Sequence, residues 1–254
     1  MIKLYFSLLF LFLVNAVSYG QLRCPPIFGN NTAREFHLTG GGGFTHLYGD
    51  IDKPGTVGFG VYGRADMTII KGLTFGGEGQ IGSLEAVASI RDPRELYTNY
   101  FNISTGITLY PFEMADQRRL HKLTFAQKVA RGFYAGVSVG YMRNYHRARN
   151  YRDLNNPGTF GPPATNNVMA DRRFKERTSS LLLPIVNAGL AIPFRNNLFK
   201  KGGYWSAVIN AQFNFSNNDD MDGYVPLRPD GTSLGKASDY YTFYSLGLRY
   251  SIPF

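Results

Sequence analysis

One cysteine, Cys24, stands in a chain of 254 residues. Its solitude excludes an internal disulfide and any zinc cluster built on several thiolates. Long apolar runs are missing too: after residue 20 no stretch approaches the roughly 18 residues a membrane-crossing helix needs, so any later crossing must be made by strands. Acidic residues are few, 18 Asp and Glu against 27 Lys and Arg, which gives a formal net charge of +9. What is abundant is glycine (29), phenylalanine (20) and tyrosine (17). That combination suits strands that are apolar on one face and thin on the other.

The chain opens MIKLYFSLLFLFLVNAVSYGQ. Lys3 precedes an apolar run over Leu4 to Val14, then small residues at Ala16, Ser18 and Gly20. This is the pattern of a secretory signal peptide over 1–20, followed by a periplasmic tail over 21–34 carrying Pro25-Pro26 and Asn30-Asn31. In an exported chain a basic balance points to anionic lipid headgroups rather than nucleic acid.

The final stretch, DYYTFYSLGLRYSIPF over 239–254, shows what kind of strand follows. Its even positions, Tyr240 to Phe254, are aliphatic and aromatic; its odd positions include Ser245, Gly247, Arg249 and Ser251. Successive strand side chains point to opposite faces, so one face is apolar and the other small, polar or charged. At about 3.3 Å per residue and a tilt near 40°, the ten steps from Tyr244 to Phe254 climb about 25 Å, the height of the apolar band on an outer-membrane barrel.

Seven earlier segments repeat the pattern, near 35–48, 56–70, 73–81, 101–109, 133–141, 182–194 and 205–215. Val57, Phe59, Val61 and Met67 oppose Tyr62, Arg64 and Asp66; Trp205, Ile209 and Phe213 oppose Ser206, Asn210 and Gln212. In the sixth segment Leu182, Val186, Leu190 and Ile192 read as one face. Eight strands, an even number, close without edges. The fold predicted is therefore all-β: an eight-stranded antiparallel up-and-down transmembrane barrel over 35–254. With a periplasmic start, 49–56, 83–98, 146–177 and 217–238 are outer loops. Lys71-Gly72, 112–131 and 195–203 are inner connections, of which 112–131, with a helix expected near Leu120 to Val129, is unusually long.

The inward set decides between a membrane barrel and a soluble one. It holds Arg64, Asp66, Glu78 and Arg249 beside Gln80, Asn187, Asn210 and Gln212. In a soluble core each ionised group would need a partner, at several kcal/mol apiece. A membrane barrel keeps its polar residues in the lumen. An eight-stranded lumen is just wide enough for side chains to fill, so these four are expected to form an ion-pair plug rather than line a pore.

The signal peptide, the alternating strands and the aromatic last strand ending YSIPF resemble the small outer-membrane β-barrels of the OmpA/OmpX/OmpW-like group. Gln21 and the HLYGD segment at 46–50 are similar to Bacteroidota barrels, including PorG-like ones of type IX secretion. The resemblance implies an integral outer-membrane location in a Gram-negative cell. It also implies recognition of Tyr250, Ile252 and Phe254 by the barrel assembly machinery.

The outer loop 146–177 is rich in arginine, and forked guanidiniums pair with the phosphates of lipopolysaccharide; Arg143, Arg147, Arg149, Arg172 and Arg173 are the candidate lipid contacts. Asn218, Asp220 and Asp222 begin a calcium-loop pattern, but its twelfth position is Pro229 in place of the bidentate Glu, so an acidic turn is the better reading and no metal is expected. Among the histidines at 37, 46, 121 and 146, His46 with Asp50 is the one close acid–base pair, with no serine motif beside it. No cofactor or enzymatic activity is expected. The sequence predicts a structural or interaction module working through its loops. An accessory barrel of a secretion machine, holding a periplasmic protein at 112–131, and a lipid A-modifying enzyme are the alternatives.

Overall fold

A computed structural model describes residues 34–48, 57–86, 96–115, 124–148, 176–194, 203–217, 221 and 239–253. Residues 1–33, read above as a signal peptide and the start of a tail, lie outside the described residues. The strands are β1 (Glu35–Tyr48), β2 (Val57–Ile70), β3 (Leu73–Ala86), β4 (Leu96–Leu109), β5 (Phe133–Ala148), β6 (Arg177–Pro193), β7 (Tyr204–Ser216) and β8 (Tyr240–Pro253). Two short helices, α1 (Pro111–Ala115) and α2 (Phe125–Arg131), sit between β4 and β5. Each strand pairs antiparallel with the next, and β8 returns to β1 from Glu35↔Pro253 to Tyr48↔Tyr240, closing the barrel. The even count and the up-and-down order agree with the alternation in the sequence.

Alternation shifts inside β6, and there the sequence reading is corrected. Leu182 points into the lumen, fully buried, not outward with Val186. Between Leu182 and Ile185 β6 has one residue more than its neighbour: Gly140 faces Leu182 and Ser138 faces Ile185. Such a bulge shifts the inward parity. Pro184, inside it, has no N–H to give a ladder, which confines proline to this kind of site.

Four strand ends move as well. β3 and β4 extend through 83–86 and 96–98, and β5 and β6 reach Ala148 and back to Arg177, so two outer loops are shorter than expected. The helix expected near Leu120 to Val129 overlaps α2 over 125–129, residues 120–123 lying outside the described residues, and α1 is an addition to that reading. Thr124 caps α2 reciprocally: Gln127 donates its backbone N–H to the Thr124 hydroxyl at 3.5 Å, and its side chain accepts from the Thr124 N–H at 3.1 Å. Gly132 then accepts from the Ala191 N–H at 2.9 Å, tying the helix to β6. The Lys71-Gly72 turn is as tight as expected, with Gly72 at φ 76°, a conformation glycine reaches without cost.

The exterior is apolar on every strand. Leu246 is 65% exposed and Phe44 60%, and Phe59, Ile81, Ile103 and Val137 are similarly open. Aromatic pairs mark both ends, Tyr48 stacked on Tyr240 at 4.7 Å and Trp205 on Tyr250 at 4.9 Å. The interior is polar through much of its height, the inverse of a water-soluble barrel.

Glycine makes that interior possible. The Tyr134 ring lies against Gly189, its partner across β5 and β6, and Tyr62 lies against Gly247; a Cβ at either glycine would collide with the ring. Gly189→Val is expected to destabilise the barrel by about 1–3 kcal/mol through overpacking, read by urea unfolding from lipid vesicles.

Candidate functional site

The lumen is built in layers. At mid-height Arg64 and Asp66, two residues apart on β2, share one face, and the guanidinium Nε meets both carboxylate oxygens at 2.8 and 2.9 Å. Arg64 also donates to the Thr108 hydroxyl at 2.6 Å, and Glu78, opposite it on β3, lies 3.9 Å away. Glu78 accepts from the Gln80 amide, which in turn donates to Gln212 at 2.8 Å. Tyr241 donates its hydroxyl to Gln80 at 3.1 Å and accepts from Asn102 at 3.2 Å. Strands β2, β3, β4, β7 and β8 thus meet in one hydrogen-bonded web.

Arg249 is placed differently from the sequence reading, which offered it Asp66 and Glu78 as counter-ions. It makes no ion pair within 4.0 Å among the described residues. Instead it donates to the Tyr110 hydroxyl at 2.7 Å and to Thr39 at 3.3 Å, with its guanidinium 5.8 and 5.6 Å from the Tyr110 and Tyr134 ring centres. The ring faces supply negative potential where a carboxylate was expected.

Above this web, at the loop end, is an apolar stopper that sequence reasoning missed. Leu84, Met142, Leu182, Ile185, Phe243 and Met221 are wholly or almost wholly buried there. Met221 reaches in from the β7–β8 connection, its N–H donated to the Asp239 carboxylate at 3.2 Å. Phe243 stood on the expected polar face of β8, and Leu182 was assigned outward. The signal that was available is the cluster of large inward residues at one end of successive strands. A cavity lined by Arg64, Glu78, Ser104, Asn187 and Gln212 holds about 10 Å³, room for about one water.

At the turn end, which carries the Lys71-Gly72 turn and the Glu35 and Pro253 termini of the barrel, sits a trio the sequence did not single out. His37 Nδ1 is 2.8 Å from the Ser251 hydroxyl, and its Nε2 is 3.9 Å from Glu35, whose carboxylate accepts from Tyr204 at 2.8 Å. A base between hydroxyl and carboxylate is the wiring of a nucleophile. Ser251 is fully buried, however, and is paired in the ladders to both β1 and β7. The trio caps the lumen. His46, the histidine favoured from sequence, packs its ring on Tyr48 at 4.7 Å, and Asp50 lies outside the described residues. Near the trio Glu113 of α1 is half-buried. Burial, then the charge of Glu35, push its carboxyl above the usual range, against the pull of Arg131, Lys71 and Arg249.

On the outer rim Arg143 and Arg147 project outward from β5 on either side of Tyr145, and Arg177 of β6 lies over the Tyr145 ring at 4.8 Å. With Asn99 and Phe101, residues 143, 145 and 147 line a shallow groove of about 360 Å³. Arg149, Arg172 and Arg173 lie outside the described residues, as do Asn218, Asp220, Asp222 and Phe254. Among the described residues no group of three His, Cys, Asp or Glu converges as a metal site. Tyr250 stacks on Trp205, and Ile252 is exposed on the outer face.

No known protein family and no curated protein matches the chain. Several solved structures are similar. The attachment invasion locus protein Ail of Yersinia pestis is 11% identical over 87% of this chain and 100% of its own, with a TM-score of 0.43. Neisserial surface protein A is 10% identical over 86% and 97%, at 0.40. The outer membrane protein OprG of Pseudomonas aeruginosa is 10% identical over 89% and 99%, at 0.37. The strand ladders establish the barrel independently of these likenesses.

Because Arg64 stays buried when its partner is removed, Asp66→Ala is expected to cost about 3–5 kcal/mol, whereas Arg64→Met with Asp66→Leu recovers much of that loss. Urea unfolding of the three chains in the same vesicles measures the difference.

Proposed function

We propose that this chain is a non-enzymatic, integral outer-membrane barrel, closed to ions, that acts as a structural and interaction module through its loop end. The observation that carries this reading is the inverted polarity: exposed Phe, Leu, Ile and Val on every strand around a lumen of paired charges and amides. A surface of that extent would aggregate in water, and it matches the apolar band of a barrel in lipid. The turn end, with its short turn and both barrel termini, faces the periplasm in this reading, and the loop end faces out.

Two features support closure of the lumen. The ion-pair web fills the middle, and the Leu84–Met142–Phe243 layer adds an apolar barrier above it. An ion crossing there would have to shed its hydration against hydrocarbon. On the rim, Arg143 and Arg147, joined by Arg177 over Tyr145, present forked donors where outer-leaflet lipid phosphates lie, with Phe101 beside them for an acyl chain. Tyr250, Ile252 and Phe254 serve in this reading as the assembly signal.

Planar-bilayer recordings test the closure: the purified barrel is expected to give no stable conductance steps, and reproducible channels would refute a plugged lumen. For the rim, the triple change Arg143→Ala, Arg147→Ala and Arg177→Ala is expected to lower co-purified lipopolysaccharide several-fold with the barrel still folded. Unchanged lipid content would remove the phosphate-binding role.

A further inference from the structure

The two helices between β4 and β5 have their polarity turned inside out, as the barrel wall does. On α2 the exposed residues are Phe125, Ala126 and Ala130, with Val129 partly exposed, and the buried ones are Lys128 and Arg131. On α1 Phe112 is 52% and Met114 46% exposed, while Glu113 is turned toward Glu35, Lys71 and Arg131 at the mouth of the lumen. Helices washed by water do the opposite, placing charge outside and apolar groups within. Phe125, the first residue of α2, is 61% exposed.

The apolar face of α1 is continuous with the barrel exterior. Phe112 meets Phe133, an outward residue of β5, edge to face at 6.1 Å. Met114 covers the Gly72 turn, where a side chain would collide with it, next to exposed Ile69 and Ile70 at the end of β2. The depth is that of the aromatic belt, where amphipathic segments lie flat with the apolar side toward the acyl chains.

We propose that α1 and α2 form an interfacial collar on the inner leaflet, with phospholipid as the occupant of the Phe112, Met114, Phe125 and Ala126 faces. This rests on the reading that the barrel spans the outer membrane with its termini in the periplasm. The collar explains why the inner connection is long: it closes the lumen with Glu113, Lys128 and Arg131 inside while extending the lipid-facing wall outside. A soluble protein seated on the same faces would need them in water.

Trp205 is the sole tryptophan and projects outward at the same end, 53% exposed, so it serves as an internal standard. The full mature barrel would be folded into phosphatidylethanolamine–phosphatidylglycerol vesicles doped with phosphatidylcholine brominated near the headgroup. Phe112→Trp and Phe125→Trp, each in a Trp205→Phe chain, are expected to lose emission to the brominated lipid as Trp205 does in the parent, and to be shielded from acrylamide. Emission at residue 125 that acrylamide quenches and bromine does not, in a chain whose Trp205 parent is lipid-quenched, would overturn the collar and leave those faces to a soluble partner. If Trp205 itself escapes bromine, the membrane reading fails and the collar with it. A spin label on Ala126→Cys in a Cys24→Ser chain gives the same answer without a bulky ring. Faster relaxation by oxygen than by a water-soluble nickel chelate supports the collar, and the reverse order refutes it.

Discussion

Every amide of a wall facing hydrocarbon must find its hydrogen bond within the chain, because lipid offers none. Closure between β1 and β8 meets that demand: fourteen consecutive residue pairs, from Glu35↔Pro253 to Tyr48↔Tyr240, join the first strand to the last. The other features follow from it. A closed ring of eight strands leaves a lumen about as wide as two opposing side chains, and its contents must then be mutually satisfied. The Arg64–Asp66–Glu78 group, the Gln80–Gln212 pair and the tyrosine cage around Arg249 are one solution.

That solution also shows how a buried cation is held without a carboxylate. Arg249 has two hydroxyl acceptors and two ring faces, and among the described residues the only carboxylate within ion-pair distance of Arg64 besides Asp66 is Glu78. Placing Arg249 beside the same acids would have crowded two guanidiniums together. Spreading them along the axis keeps like charges apart, and the aromatic rings stand in for the missing anion.

Much of the fold was legible because a strand with one apolar outer face has a period of two, as along β5 and most of β2. Where the period broke, the reading broke: no parity count anticipates the extra residue between Leu182 and Ile185, and everything before it in β6 changes face. The lumen charges were legible as inward, since Arg64, Asp66, Glu78 and Arg249 stand on the thin face of their strands. Their partners were not, because which inward groups meet depends on strand stagger around the ring rather than on spacing within a strand. The apolar stopper was missed for a related reason. An inward Phe243 or Met142 looks like noise on a polar face until neighbouring strands bring such residues to one height. The inverted helices were hidden as well, since Lys128 and Arg131 in a connection read as solvated charge.

The glycine run over 40–43 has a consequence for the seam in which it lies. Gly41 and Gly43 sit so close to Leu246–Gly247 and Tyr244–Ser245 that no side chain fits between the strands. With nothing to interdigitate, that stretch has no preference among registers that differ by two residues. Alignment is therefore set at the extremities, by the Tyr48–Tyr240 stack at one end and the His37–Ser251 hydrogen bond at the other. The closing edge is a smooth rail with a catch at each tip: its middle leaves the register unspecified, and its engaged ends fix it.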